Sequence, residues 1–74
     1  MGDFKLGRYR HFKGTIYTAF AVVTHTETKE EIVCYHDKGG SMWGRPKAMF
    51  TGTVEKDGKV VPRFEYVGPP IMDW

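Results

Sequence analysis

Ten consecutive residues, Ile16 to His25, contain no charged side chain, no glycine and no proline. The run is β-branched or aromatic almost throughout, a composition that fits a pleated strand better than a helix. Thr18, Val22, Val23 and Thr24 weigh further against a buried helix. Read with period two, Tyr17, Ala19, Ala21 and Val23 fall on one face and Ile16, Phe20 and Val22 on the other. A strand that is apolar on both faces has to be covered twice. In a chain of 74 residues that requirement points to a small, strongly bent sheet.

The length allows one domain, and a domain this short buries only about 60% of its unfolded surface. Cys34 is the single cysteine, so no disulfide can staple the fold, and a lone thiol suits a reducing compartment. Aromatic residues make up 15% of the chain, and each can bury roughly 150–250 Å². They are the expected source of the core. The net charge of +2 comes from acids and bases mixed along the chain, too mild to identify a nucleic-acid binder by itself. No apolar run is long enough to span a bilayer. The N-terminus lacks a signal-peptide pattern, and Leu6 stands where a myristoylation motif needs Ser or Thr. The expectation is a soluble cytoplasmic protein without membrane attachment.

The remaining segments read as further strands. In Gly7 to Lys13 two arginines alternate with Tyr9 and His11, which predicts Arg8 and Arg10 outward and Tyr9 and His11 inward. Glu30 to His36 places Val33 and Tyr35 on one face, with Ile32, Cys34 and His36 on the other. Cys34 is expected to be a small buried hydrophobe. Asp37-Lys38-Gly39-Gly40-Ser41 has the composition of a loop. Thr51 to Lys56 and Lys59 to Val67 flank Asp57-Gly58, a strong hairpin signal because type I′ turns need positive φ at both central residues. Residues 1–6 are expected to be a flexible N-terminus, 7–67 the domain and 68–74 a tail. Five short strands with short connections predict an all-β fold, a five-stranded antiparallel SH3-like barrel that closes to remove its edges.

Chemistry concentrates in Trp43-Gly44-Arg45-Pro46-Lys47-Ala48-Met49-Phe50. Pro46 lacks an N–H and cannot sit inside a central strand, and it pushes Arg45 toward extended backbone. The spacing predicts a short strand over Trp43 to Arg45, a tight or 3₁₀ turn over Pro46 to Met49, and a return into a strand at Phe50. Trp43 and Arg45 are then held side by side, a planar apolar face beside a fork of donors.

With these residues in place, the sequence resembles the family of small bacterial proteins known as domain of unknown function 1653. The resemblance rests on Gly7, Tyr9, His11, Phe12, Lys13 and Gly14, on Ala21 followed by Thr24-His25-Thr26-Glu27-Thr28, and on Val33 and Tyr35. Trp43, Arg45, Pro46, Met49 and Phe50 continue it, and Arg63-Phe64 closes it. Gly44 stands where a β-branched residue is more usual. The resemblance implies a shared fold and a bacterial or phage origin, and no established activity.

Three functional readings follow from the residues. The leading expectation is a non-catalytic binding module for a nucleic acid or a peptide, built on Trp43 and Arg45 with His11, Tyr9 and Glu27 as candidate neighbours. Such a pair suits a carboxylate, a phosphate or a proline-rich segment. The alternatives are a small-molecule enzyme using His11, His25 and Glu27, and an assembly subunit whose exposed aromatics, such as Trp74, meet another chain. The histidines, Cys34 and carboxylates lack the spacing of a zinc site, so no metal or cofactor is expected.

Overall fold

The computed structural model describes residues 4–70. Among them are seven strands and one helical turn: β1 (Gly7–His11), β2 (Ile16–Thr24), β3 (Glu31–His36), β4 (Met42–Pro46), α1 (Lys47–Phe50), β5 (Thr53–Lys56), β6 (Lys59–Pro62) and β7 (Phe64–Gly68). Five of the strands form one sheet in the order β4-β3-β2-β1-β7, and β5 and β6 form a separate hairpin. Every pairing is antiparallel. The chain is therefore all-β, as expected, but its main sheet is open. The five-stranded SH3-like barrel is not closed by these pairings, because β4 and β7 remain its two edges.

Of the two strands beyond the expected five, one is β4 and the other arises at Arg63, where the expected strand Lys59 to Val67 breaks in two. Pro62 ends the ladder with β5 opposite Thr53. Arg63 then donates its N–H to the Gly52 carbonyl (3.0 Å), while its own carbonyl accepts from the Phe12 N–H (2.9 Å). One residue thus hands the chain from the hairpin to the main sheet. The Asp57-Gly58 turn forms as the sequence predicts, with φ of 54° and 80°.

The core is a sheet of aromatic rings on one face. Tyr9, Ala19, Val33, Tyr35, Phe50 and Phe64 are buried there, with Phe4, Tyr17 and Val22 packed against them. Tyr9, Val33 and Tyr35 face inward as the alternation requires. In β2 the alternation is reset by an irregularity between Ala19 and Ala21. A bulge adds one residue and turns the following side chains to the opposite face. Val22 consequently joins the core side, and Val23, expected beside Ala19, is 46% exposed. Cys34 is only partly covered, on the far side of the sheet from the core.

The Trp43–Phe50 corner differs in detail from its sequence reading. Pro46 is the last residue of β4, an edge strand, and a full α-turn rather than a 3₁₀ turn follows over Lys47 to Phe50. The turn closes with the Thr51 N–H on the Lys47 carbonyl (2.9 Å). Phe50 ends this turn instead of starting a strand, and its ring is buried. The N-terminal segment is anchored from Phe4 onward. Phe4 stacks on Tyr9 at 5.4 Å, and the Lys5 carbonyl accepts from the Tyr9 hydroxyl at 2.6 Å. The expected tail begins inside β7, since Gly68 is still strand, while Trp74 lies outside the described residues.

Candidate functional site

Cross-strand partners share a face of the sheet. Because Tyr35 pairs with Trp43 and Val33 with Arg45, both residues of β4 project on the core side, beyond the end of the aromatic layer. Trp43 is 51% exposed, so it is not a core residue. Arg45 lies lower. Its Nε donates to the Tyr35 hydroxyl at 3.3 Å, and its guanidinium carbon sits 5.7 Å from the centre of the Phe64 ring. A neutral hydroxyl and a ring face orient this cation without neutralising it.

His11 reaches the same place from β1. Its ring lies 5.0 Å from Phe64 and 6.4 Å from Tyr17, edge to face in both cases. Tyr17 in turn meets Tyr35 at 5.2 Å. The Lys13 backbone N–H donates to His11 Nδ1 at 3.1 Å, which leaves the ring proton on Nε2, free to donate. Burial lowers the pKa of His11 below its ordinary 6.5, and the charges of Arg45, Lys13 and Arg63 lower it further. Both guanidinium charges are therefore felt at the imidazole.

Arg63 completes the group. Its backbone is fixed by the junction between hairpin and sheet, and its Nε is shielded from solvent without a hydrogen-bond partner. Among the described residues the ion pairs are Arg10–Glu65 and Lys47–Glu31, so neither Arg45 nor Arg63 has a carboxylate within 4 Å. Two guanidinium charges thus act on one donor imidazole, and among the described residues neither guanidinium has a carboxylate partner. An anion entering there gains charge-assisted hydrogen bonds, bidentate ones from a guanidinium fork.

A neighbouring groove of about 540 Å³ shares His11 and is lined also by Arg10, Phe12, Lys56, Pro62 and Glu65. Its cations are already engaged. Arg10 pairs with Glu65 at 3.1 Å, and Lys56 Nζ donates to the Phe12 carbonyl at 3.1 Å. The unopposed charges of Arg45 and Arg63 make their cluster the stronger candidate for a ligand.

The other expected residues lie elsewhere. Tyr9 is in the core, its hydroxyl engaged by the Lys5 carbonyl, and burial followed by the neighbouring Tyr66 raises its pKa. Glu27 and His25 belong to the β2–β3 turn, where His25 Nδ1 accepts from the N–H groups of Glu27 (3.1 Å) and Thr28 (3.3 Å). That turn follows the end of β2, whereas His11 is near its start. Nine residues of strand separate them, roughly 30 Å at the usual rise. His11, His25 and Glu27 therefore do not converge as an enzyme site. No three His, Cys, Asp or Glu side chains among the described residues gather to hold a metal ion. No helix of the described residues is long and apolar enough to cross a membrane. Residue-by-residue reading did not single out Tyr17, Arg63 and Phe64 for this site. Arg63-Phe64 did stand in the motif pattern, and the proline before it marks the break that aims them.

The depressed pKa of His11 has a measurable consequence. Its folded-state value is below the unfolded one, so the unfolded chain takes up the proton first. The contribution to stability is complete above about pH 6.5 and is lost as pH falls below it. Replacing His11 by Gln is expected to flatten the dependence of the melting temperature between pH 7.5 and 5.5. An identical slope in both proteins would show that His11 titrates as it does in the unfolded chain.

Comparison with known proteins places this arrangement in a family. Residues 7–66 match the family model described as protein of unknown function, DUF1653. Comparison with curated proteins gives no match. Among solved structures, the crystal structure of a DUF1653 protein from Bordetella bronchiseptica is similar over 96% of each chain, with 33% identity and a TM-score of 0.83. The family match extends from the first strand of the sheet into its last, through Trp43, Arg45 and Arg63, and the chain belongs to the DUF1653 family of proteins of unknown function.

Proposed function

We propose that this chain is a small binding module that recognises the phosphates of a single-stranded nucleic acid through Arg45, Arg63 and His11, with Trp43 as a stacking surface for a base. The observation that carries this reading is the pair of guanidinium groups without a carboxylate partner among the described residues, one of them with a shielded and unsatisfied Nε. Trp43, half exposed on the same face, supplies a ring on which any base can stack, an interaction worth about 1–3 kcal/mol. Cations beside an exposed aromatic favour a nucleic acid over an acidic peptide, whose carboxylates would leave Trp43 unused. The lone thiol at Cys34 supports a reducing, cytoplasmic setting.

The test is titration with short single-stranded oligonucleotides and, separately, acidic and proline-rich peptides, followed by Trp fluorescence. Oligonucleotides are expected to bind, with log K falling against log salt at a slope of about −1.4 for two neutralised phosphates. Arg45→Lys keeps the charge but loses the planar fork. It is expected to weaken binding about tenfold, equivalent to about 1.4 kcal/mol, while the lost bond to the Tyr35 hydroxyl lowers the melting temperature only slightly. Binding of peptides alone, or an Arg45→Lys variant that binds as the parent does, overturns the assignment.

A further inference from the structure

The two edges of the main sheet are not equivalent. On the β7 side the pairing with β1 is irregular between Arg8 and Tyr9, Arg8 Nε donates to the Pro69 carbonyl at 3.0 Å, and two prolines follow. Bulges and prolines of this kind keep a strand from pairing further. The β4 side has no such protection along its centre. Met42 is 72% exposed and Trp43 51%, Gly44 has no side chain, and among the described residues no strand pairs with its outer edge.

The hydrogen-bond phase of β4 can be read from its ends. The Asp37 N–H donates to the Ser41 carbonyl at 3.0 Å, so this pair is of the hydrogen-bonded kind. Such pairs alternate along an antiparallel ladder, which makes Tyr35–Trp43 and Val33–Arg45 hydrogen-bonded as well. Met42, Gly44 and Pro46 then turn their backbone groups outward. This phase also explains why proline is tolerated in the strand: the missing N–H of Pro46 faces away from β3.

We propose that β4 is a self-association edge, on which two copies of the chain pair antiparallel about Gly44 and continue the sheet from one molecule into the other. The occupant is a second copy because the edge is complementary to itself. A two-fold axis at Gly44 exchanges N–H and C=O between the two glycines and sets the Met42 N–H against the partner's Pro46 carbonyl. It also places each Trp43 directly opposite the partner's Arg45, on the core side of both sheets. Those positions form the closer, non-hydrogen-bonded pair of the new ladder, and the contact is a cation–π pair. Each cationic cluster gains the partner's Trp43 as an added aromatic wall. The pairing involves the same Arg45 as the proposed binding site, but it requires no ligand.

The experiment is sedimentation equilibrium of the intact chain without ligand, over about 10 µM to 1 mM, because a short edge contact is expected to be weak. The apparent mass should rise from 8.5 kDa toward twice that value. Trp43→Lys sets like charges across the axis and is expected to abolish the rise. Gly44→Pro removes the outward N–H and leaves the ladder with β3 intact. Its added β-carbon would stand 3.3 Å from Ile32 Cγ2, a methyl group that can turn aside. Circular dichroism identifies the folded variants, and if Gly44→Pro fails to fold, Trp43→Lys decides alone. A parent chain that stays monomeric throughout overturns the proposal. So does a dimer that survives in either folded variant, which would move the interface to the open face around Phe20 and Val23. Failure of oligonucleotide binding leaves this result untouched.

Discussion

Phe50→Ala is expected to cost about 3–5 kcal/mol, the range for removing a fully buried phenyl ring. A domain of this size is held by only about 4–11 kcal/mol, so the variant should be largely unfolded or nearly so. The ring is 1% exposed. It stacks on Phe64 at 4.0 Å with the planes 4° apart, and meets Tyr9 at 5.1 Å, Tyr35 at 5.3 Å and Phe4 at 5.5 Å. It is also the buried anchor of α1, whose other residues are partly or fully exposed. Losing the ring both opens a cavity and frees the turn that carries the chain into the β5–β6 hairpin. Urea unfolding followed by circular dichroism measures the loss, and Phe50→Leu, which leaves a smaller cavity, should cost clearly less. A loss below about 1 kcal/mol for the alanine variant would mean that the site collapses around the missing ring, contrary to the packing described.

The second large effect is expected at Gly7. Its φ is 147°, and a β-carbon there would stand 2.6 Å from the Gly68 carbonyl oxygen and 2.9 Å from Tyr66 Cε1. The first contact is with backbone and has no rotamer to escape into. Gly7→Ala therefore has to push β7 away from β1, at an expected cost of about 2–4 kcal/mol from strain and overpacking together. Gly58→Ala separates the two causes. Gly58 also has positive φ, 80°, but nothing lies within 4 Å of its β-carbon position, so only the conformational cost remains, about 1 kcal/mol. Equal melting temperatures for the two variants would show that the approach of β7 to Gly7 is looser than the structure has it.

The comparison of sequence with structure divides along a physical line. Properties decided within a few residues could be read directly: the inward Tyr9, Val33 and Tyr35 from alternation, and the Asp57-Gly58 turn from its need for positive φ. Properties decided by pairing over distance could not. The bulge after Ala19 carries no composition signal, since Phe20 and Ala21 are ordinary strand residues, yet it decides that Val22 rather than Val23 meets the core. The same holds for closure. A strand apolar on both faces suggested a barrel, whereas Phe20 and Val23 remain exposed on an open sheet. At the candidate site, Trp43 and Arg45 could be paired from the corner at Pro46. Arg63 could not, because its position depends on the Gly52 carbonyl before β5 and the Phe12 N–H after β1 both bonding to its backbone. His11 and His25 looked equivalent as letters, and only the length of β2 separates them.

The pairing of β1 with β7 joins the two ends of the chain, and this governs how the molecule is made as well as how it stands. The β2–β3 and β5–β6 hairpins close short loops and can form early. Bringing Phe64 beside His11 closes nearly the whole chain, and loop entropy has to be met before that contact returns any stability. The other four pairings join strands consecutive in sequence, so this distant one is the expected slow step of folding. Until β7 arrives, Phe50 lacks its stacking partner and the edge of β1 is open to other chains. The period between synthesis of β1 and docking of β7 is when this protein is most exposed to aggregation.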